Sequence, residues 1–113
     1  MDKKLLNTNN IVLEHVKTAL NKTFKHEIKD VILFGSRAEE KANEYSDYDI
    51  LVILNKDEYD WRYKHKIIEI IYDIELEAGI YIDIHILSEH ELNKTLRGTQ
   101  HIFSNAIKHG VYA

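Results

Sequence analysis

The stretch Leu33–Leu54, LFGSRAEEKANEYSDYDILVIL, decides the fold of this chain. It leaves an aliphatic run through the pair Gly35-Ser36 and enters a second apolar segment at Asp47–Leu54. A Gly-Ser pair directly after a β-rich run predicts a tight turn, and the alternation of the second segment predicts a strand. The stretch therefore predicts two neighbouring strands with polar residues where the first ends and the second begins.

The same reading extends to the rest of the chain. Apolar residues at three- and four-residue steps predict helices, and runs of β-branched residues predict strands. Ser88 followed three residues later by Glu91 predicts a capping box at the start of a helix. The predicted elements are helix Ile11–Lys25, strand Ile28–Phe34, short helix Ser36–Ala42, strand Asp47–Leu54, helix Glu58–Ala78 ending at Gly79, strand Tyr81–Leu87, a helix from Ser88 to about Arg97 ending at Gly98, and helix Ile102–His109 ending at Gly110.

This order, α-β-α-β-α-β-α-α, predicts an α/β (α+β) domain with a small mixed sheet of three core strands flanked by helices. A long helix joins the second and third strands, which favours a parallel crossover between them. Only a short connection joins the first and second strands, which favours an antiparallel pair.

Length and composition limit the class of protein. The chain has 113 residues, so we expect one domain over residues 1–113. We find no apolar run long enough for a membrane span and no signal-peptide pattern, and we expect a cytoplasmic protein. The net charge of −4 disfavours direct binding of nucleic acid through a basic surface. The absence of cysteine excludes a disulfide frame and a cysteine-based zinc site.

Three acidic residues interrupt the apolar pattern of two predicted strands. Asp47 and Asp49 lie two residues apart and are expected on one face of the second strand, and Asp83 lies near the start of the third. If these strands are parallel neighbours, the three carboxylates cluster at one end of the sheet. Such a cluster suits Mg²⁺ or Mn²⁺ bound together with substrate phosphates. A plainer reading of Asp83 is an ordinary polar residue on a half-exposed strand.

The Gly35-Ser36 turn predicts an anion site. Free backbone N–H groups at a turn that opens a helix bind phosphate, and Gly35 allows close approach of the backbone. The Ser36 hydroxyl and Arg37 add further donors. The alternative for Arg37 is a structural ion pair with a nearby glutamate. A triphosphate could then extend from Ser36 to the metals.

The quoted stretch resembles the signature of the nucleotidyltransferase superfamily with the DNA-polymerase-β-like fold: Gly-Ser, ten residues, then Asp-x-Asp. Within it, the chain is most similar to the minimal nucleotidyltransferases, which are commonly antitoxins paired with a HEPN-domain toxin. The resemblance covers Val31 to Val111. It implies that Asp47 and Asp49 are the first two metal ligands, that Asp83 in YIDIHIL is the third, and that these acids are catalytic.

The resemblance implies transfer of a nucleoside monophosphate from an NTP, with ATP as the expected donor, to an acceptor hydroxyl. Because the chain is short for a second, acceptor-binding domain, we expect the acceptor on a partner protein, a tyrosine of a HEPN toxin. Two alternatives stay open. One is a non-catalytic antitoxin module, and the other is a small-molecule transferase of the aminoglycoside-modifying kind that works as a dimer. The sequence leaves a homo-oligomer open.

Other polar and aromatic residues have plainer interpretations. His85 lies two residues after Asp83 on the same predicted face, and a structural histidine is favoured over a ligand. The aromatic residues of the long helix favour a core or interface role over stacking on a nucleobase. The basic run Arg62, Lys64 and Lys66 is typical of a solvated helix face or of an edge that meets an acidic partner.

Overall fold

The computed structural model describes residues 3–38, 46–94 and 101–113. It contains a mixed four-stranded sheet flanked by helices, which confirms the predicted α/β (α+β) class and has one strand more than the three expected. The elements are α1 (Lys3–Phe24), a short 3₁₀ helix (Lys25–Glu27), β1 (Ile28–Phe34), β2 (Tyr48–Leu54), α2 (Trp61–Ala78), β3 (Ile82–Ser88), α3 (Glu89–Lys94), α4 (His101–His109) and β4 (Val111–Tyr112).

The strands lie in the order β3-β2-β1-β4. β1 and β2 are antiparallel, with Phe34 opposite Asp49, and β2 and β3 are parallel, with Asp49 opposite Asp83. Both predicted strand orientations are confirmed. β4 pairs with Ile32 and Leu33 of β1 and was not predicted, because its two exposed residues are too few to display an alternating pattern.

Several predicted boundaries differ from the structure. α1 begins at Lys3, eight residues before the predicted start at Ile11, so Asn9 lies inside the helix and is buried. α2 begins at Trp61 because the side chain of Asp60 accepts a hydrogen bond from Tyr63 N at 2.9 Å and caps the helix there. The capping box at Ser88 is confirmed, since its Oγ accepts from Glu91 N at 3.0 Å.

Two predicted elements extend beyond what the structure describes. Residues 35–38 form a turn rather than the start of the helix predicted over Ser36–Ala42, and residues 39–45 lie outside the described residues. α3 is described to Lys94, and the predicted continuation to Arg97 and Gly98 lies outside them as well. In the described ranges, no helix has the length and apolarity that a membrane crossing requires.

Side chains on the two faces of the sheet form two separate cores. One face packs against α1 and α2 through residues that include Val16, Leu20, Val31, Ile50, Val52, Ile67 and Ile71. The other face packs beneath α4 through Ile32, Phe34, Leu51, Ile53, Leu87, Phe103 and Ala106. Because both faces are covered, every residue of β2 is buried except Asp49. Asp49 lies on the α4 face of β2, the face that carries Leu51 and Ile53. An acidic residue in so buried a strand indicates a functional site on that face.

Candidate active site

The turn after β1 brings its backbone against a carboxylate. Gly35 has φ 75°, a conformation that residues with a side chain rarely adopt. A Cβ at this position would overlap Oδ2 of Asp49 and would lie 3.1 Å from its Cγ. Glycine is therefore needed for two reasons, the backbone angle and the close approach of Asp49. Ser36 follows in the same turn and is half-buried.

Asp49 and Asp83 form a carboxylate pair. They are direct partners in the parallel register of β2 and β3, which places their side chains on the α4 face. Burial raises the pKa of Asp49 above its ordinary value, and Asp83 raises it further through charge repulsion and a hydrogen bond. Two adjacent carboxylates with this electrostatics form a site that a cation would stabilise.

His85 lies beside this pair on β3. Its Nε2 is 3.4 Å from Asp83 Oδ2, and its charge opposes the other influences on Asp49 by lowering the pKa of that carboxyl. The ring packs between Phe34 and Phe103, with centroid distances of 5.5 and 5.7 Å. His85 thus contacts both the core under α4 and the acidic pair.

Asp47 lies apart from the pair. It precedes β2 and is exposed, so the pleat of the strand does not fix its side chain beside Asp49. It still contributes weakly to raising the pKa of Asp49. Among the described residues, no group of three or more histidine or acidic side chains converges as a metal site. The sequence predicted three clustered carboxylates, and the structure brings two of them together.

Arg37 is buried under the turn instead of facing the cavity described below. Its Nε donates to Ser46 O at 2.9 Å and its Nη1 to Asn9 Oδ1 at 2.8 Å. The guanidinium carbon lies 3.8 Å from the ring centroid of Tyr48. Through these contacts Arg37 fixes the turn after β1 to α1 and to the entry of β2, so it positions Gly35 relative to Asp49.

A cavity of about 290 Å³ opens over the carboxylate pair. One wall comes from the turn and strands, with Phe34, Gly35, Ala38 and Asp49. The other comes from the end of α4, with Asn105, Ala106, His109 and Gly110. Asn105 and His109 were not predicted as site residues. They lie four residues apart, as do Ala106 and Gly110, and this spacing would have indicated that all four share one face of the helix.

Residues 13–112 match the family model of the nucleotidyltransferase domain. The chain belongs to the nucleotidyltransferase domain family. No curated protein matches it significantly. The matched residues include the turn at Gly35, the carboxylate pair and both walls of the cavity of this nucleotidyltransferase domain.

The donor set of this nucleotidyltransferase domain fits a divalent cation in its chemistry. Asp49 and Asp83 offer carboxylate oxygens, the ligands that Mg²⁺ and Mn²⁺ prefer. Burial, and then the charge of Asp83, raise the pKa of Asp49, and a bound cation would offset both effects. The reaction that the family supports is transfer of a nucleotidyl group.

Proposed function

We propose that this nucleotidyltransferase domain transfers AMP from ATP to a hydroxyl group on a partner protein, a tyrosine of a HEPN-domain toxin, and thereby acts as an antitoxin. The observation that carries the catalytic part is the contact of the Gly35 turn with Asp49 at the floor of the cavity. The Gly35 turn lies next to the carboxylate pair, and in this proposal its backbone binds the phosphates. Transfer at phosphorus needs both groups at one point.

In this reaction the acceptor oxygen forms a bond to the α-phosphorus. The bond from that phosphorus to the oxygen bridging the β-phosphate breaks, and pyrophosphate leaves with the bonding electrons. The backbone N–H groups of the Gly35-Ser36 turn and the Ser36 hydroxyl hold the phosphates. The acceptor proton passes to a carboxylate oxygen of the Asp49–Asp83 pair.

The carboxylate pair also needs a metal ion if it is to lie beside a triphosphate. A triphosphate and two carboxylates repel each other at close range. Mg²⁺ or Mn²⁺ held by Asp49 and Asp83, with Asp47 as a third ligand, would neutralise this charge and polarise the phosphate. Asp47 is exposed at the start of β2, so its side chain has room to turn toward the pair.

Two considerations support a protein acceptor. The net charge of −4 and the acidic floor of the cavity disfavour a nucleic-acid acceptor, which needs a basic track. The cavity is also small, and its lining comes from the ends of two central strands, the turn between them and one end of a helix. An acceptor presented on a protein surface would supply a further wall and exclude water from the site. The resemblance to antitoxins of the minimal nucleotidyltransferase group supports the HEPN toxin as the partner.

The test is incubation of the protein with ATP labelled at the α-phosphate and Mg²⁺, with and without the product of the neighbouring gene, which the proposal expects to be a HEPN-domain protein. We expect mass spectrometry to find AMP on a tyrosine of that partner. Asp49→Asn should abolish the label, whereas Asp57→Asn, an exposed aspartate on the loop after β2, should not. Neutralisation of the toxin by Asp49→Asn without transfer would favour a non-catalytic binding module. Label found only on small molecules would favour a small-molecule transferase.

A further inference from the structure

The outer face of α2 carries an exposed apolar stripe. The face of α2 that packs on the sheet is buried through Ile67, Ile71 and Ile74. On the solvent side, four large apolar residues recur at helical spacing and are between 40% and 70% exposed: Trp61, Ile68, Tyr72 and Leu76. Singly exposed apolar residues are normal, but four on one helix face, with only His65 between Trp61 and Ile68, mark an interaction surface.

Charges along α2 are separated into two halves. Residues 61–68 carry Arg62, Lys64 and Lys66 without an acidic residue, and residues 69–78 carry Glu69, Asp73, Glu75 and Glu77 without a lysine or arginine. This order opposes the helix dipole, which favours acidic residues at the start and basic residues at the end. The charge separation therefore lowers the stability of the isolated helix, and a contact outside the helix is needed to offset this loss.

An antiparallel copy of the same helix satisfies this charge pattern. At 100° per residue, Arg62 and Lys66 lie on the same side of the stripe as Glu69 and Asp73, and Lys64 lies on the other side with Glu75. If two helices pack antiparallel about a two-fold axis near Ile68, the basic half of each faces the acidic half of the other on both sides. Two-fold symmetry makes each contact occur twice.

The ends of the stripe are complementary in shape as well. Trp61 projects at the first residue of α2 and is 70% exposed. About fifteen residues further along, a surface cavity is lined by Tyr72, Glu75, Leu76, Gly79, Ile80 and Tyr81. In the antiparallel arrangement Trp61 of each copy reaches this cavity of the other copy. Arg62, whose guanidinium carbon is 5.2 Å from the Trp61 ring centroid, then lies near Asp73 of the other copy.

We propose that the stripe of Trp61, Ile68, Tyr72 and Leu76 is a homodimer interface, and that its occupant is α2 of a second copy of this chain, packed antiparallel. The proposal is independent of the transfer reaction, because it uses none of the residues that line the active-site cavity. It predicts a dimer whose two active sites lie away from the shared helix pair.

Charge reversal gives the sharpest test. One variant carries Arg62→Glu and Lys66→Glu, and the other carries Glu69→Lys and Asp73→Lys, all at exposed positions. Glu75 is left unchanged because its carboxylate accepts a hydrogen bond from Ile82 N at 3.0 Å. We expect sedimentation velocity to show a concentration-dependent dimer for the wild type, monomers for each variant alone, and a heterodimer for an equal mixture. A wild type that is monomeric at all concentrations, or a mixture that fails to associate, overturns the proposal.

Two further readouts do not depend on charge. Trp61 is the one tryptophan of the chain, so its emission should shift to the blue as concentration rises, in parallel with the dimer fraction. The chain has no cysteine, and Ile68→Cys near the two-fold axis should form a disulfide-linked dimer on mild oxidation. Thr18→Cys, at an exposed position on α1, is the matched control and should not form a disulfide-linked dimer. Equal cross-linking of the two cysteine variants would contradict the proposed axis. The exposed stripe on α2 would then have to bind something other than a second copy of this chain.

Discussion

Gly35 lies so close to Asp49 that a side chain at position 35 would overlap the Asp49 carboxylate. The antiparallel register of β1 and β2 creates this contact, since it places Phe34, the residue before Gly35, opposite Asp49. The turn and the acidic pair thus belong to one rigid unit, and a change at either one displaces the other. The predictions below follow from this unit and from the residues that hold it.

Gly35→Ala should destabilise the fold and abolish nucleotidyl transfer. Both the positive φ and the overlap with Asp49 oppose the new methyl group. Gly79→Ala is the control, because Gly79 also has a positive φ but has no atom within 4 Å of a new Cβ. Gly79→Ala should cost about 1 kcal/mol of unfolding free energy, and Gly35→Ala clearly more. Equal costs in urea denaturation would mean that Asp49 simply moves aside.

Asp49→Asn should raise the stability of the metal-free protein near neutral pH. Burial and Asp83 raise the pKa of Asp49 in the folded state, so the folded state binds its proton more tightly than the unfolded state does. Stability from this group is therefore present at low pH and declines as pH rises from the unfolded pKa through the folded pKa. We expect thermal denaturation to show a higher midpoint for Asp49→Asn at pH 7 and a smaller difference near pH 3. A lower midpoint at pH 7 would contradict the repulsion.

Mg²⁺ together with ATP should stabilise the wild type and not Asp49→Asn. Ligand that binds only the folded state adds about 2.7 kcal/mol at a concentration one hundred times its dissociation constant. Asp57→Asn, which removes an exposed carboxylate outside the cavity, should respond like the wild type. Thermal shift assays with Mg²⁺ alone, ATP alone and both together separate the contributions. A full response of Asp49→Asn would place the metal elsewhere.

Arg37→Lys should destabilise the protein by about 2–4 kcal/mol, because lysine cannot bridge Ser46 O and Asn9 Oδ1 while it lies over the Tyr48 ring. Asn9→Ala should cost less, and the double variant should show a coupling between the two positions. Chemical denaturation measures these differences. A stable Arg37→Lys protein with weakened ATP binding would instead assign the guanidinium to phosphate.

Asn105→Ala and His109→Ala should each weaken nucleotide binding by roughly tenfold, about 1.4 kcal/mol, with little change in stability. Both residues are exposed and line the α4 wall of the cavity. Lys108→Ala, an exposed neighbour on α4 that does not line the cavity, is the control. Calorimetric titration of MgATP gives the affinities. Unchanged affinities would show that the nucleotide lies on the strand side of the cavity alone.

Local pattern was sufficient for the three longer strands and their orientations, but not for the two-residue β4. Alternation and connection length predicted an antiparallel pair of β1 and β2 and a parallel pair of β2 and β3, and both are confirmed. The opposition of Asp49 and Asp83 follows from that topology, because residues near the starts of adjacent parallel strands meet. The capping box of Ser88 and Glu91 was also predictable from local pattern, because the two interacting residues are only three positions apart in sequence.

Periodicity and connection length were enough to predict the fold class, the pairing of β2 with β1 and β3, and the acidic pair. The surroundings of that pair depend on tertiary packing. Gly35 was expected to make room for a phosphate, and it also makes room for Asp49. Arg37 bonds to Asn9, 28 residues away, and α4 forms the second wall of the cavity. These contacts join residues that are distant in sequence, and their geometry is set by how the helices pack on the two faces of the sheet, which no local pattern encodes.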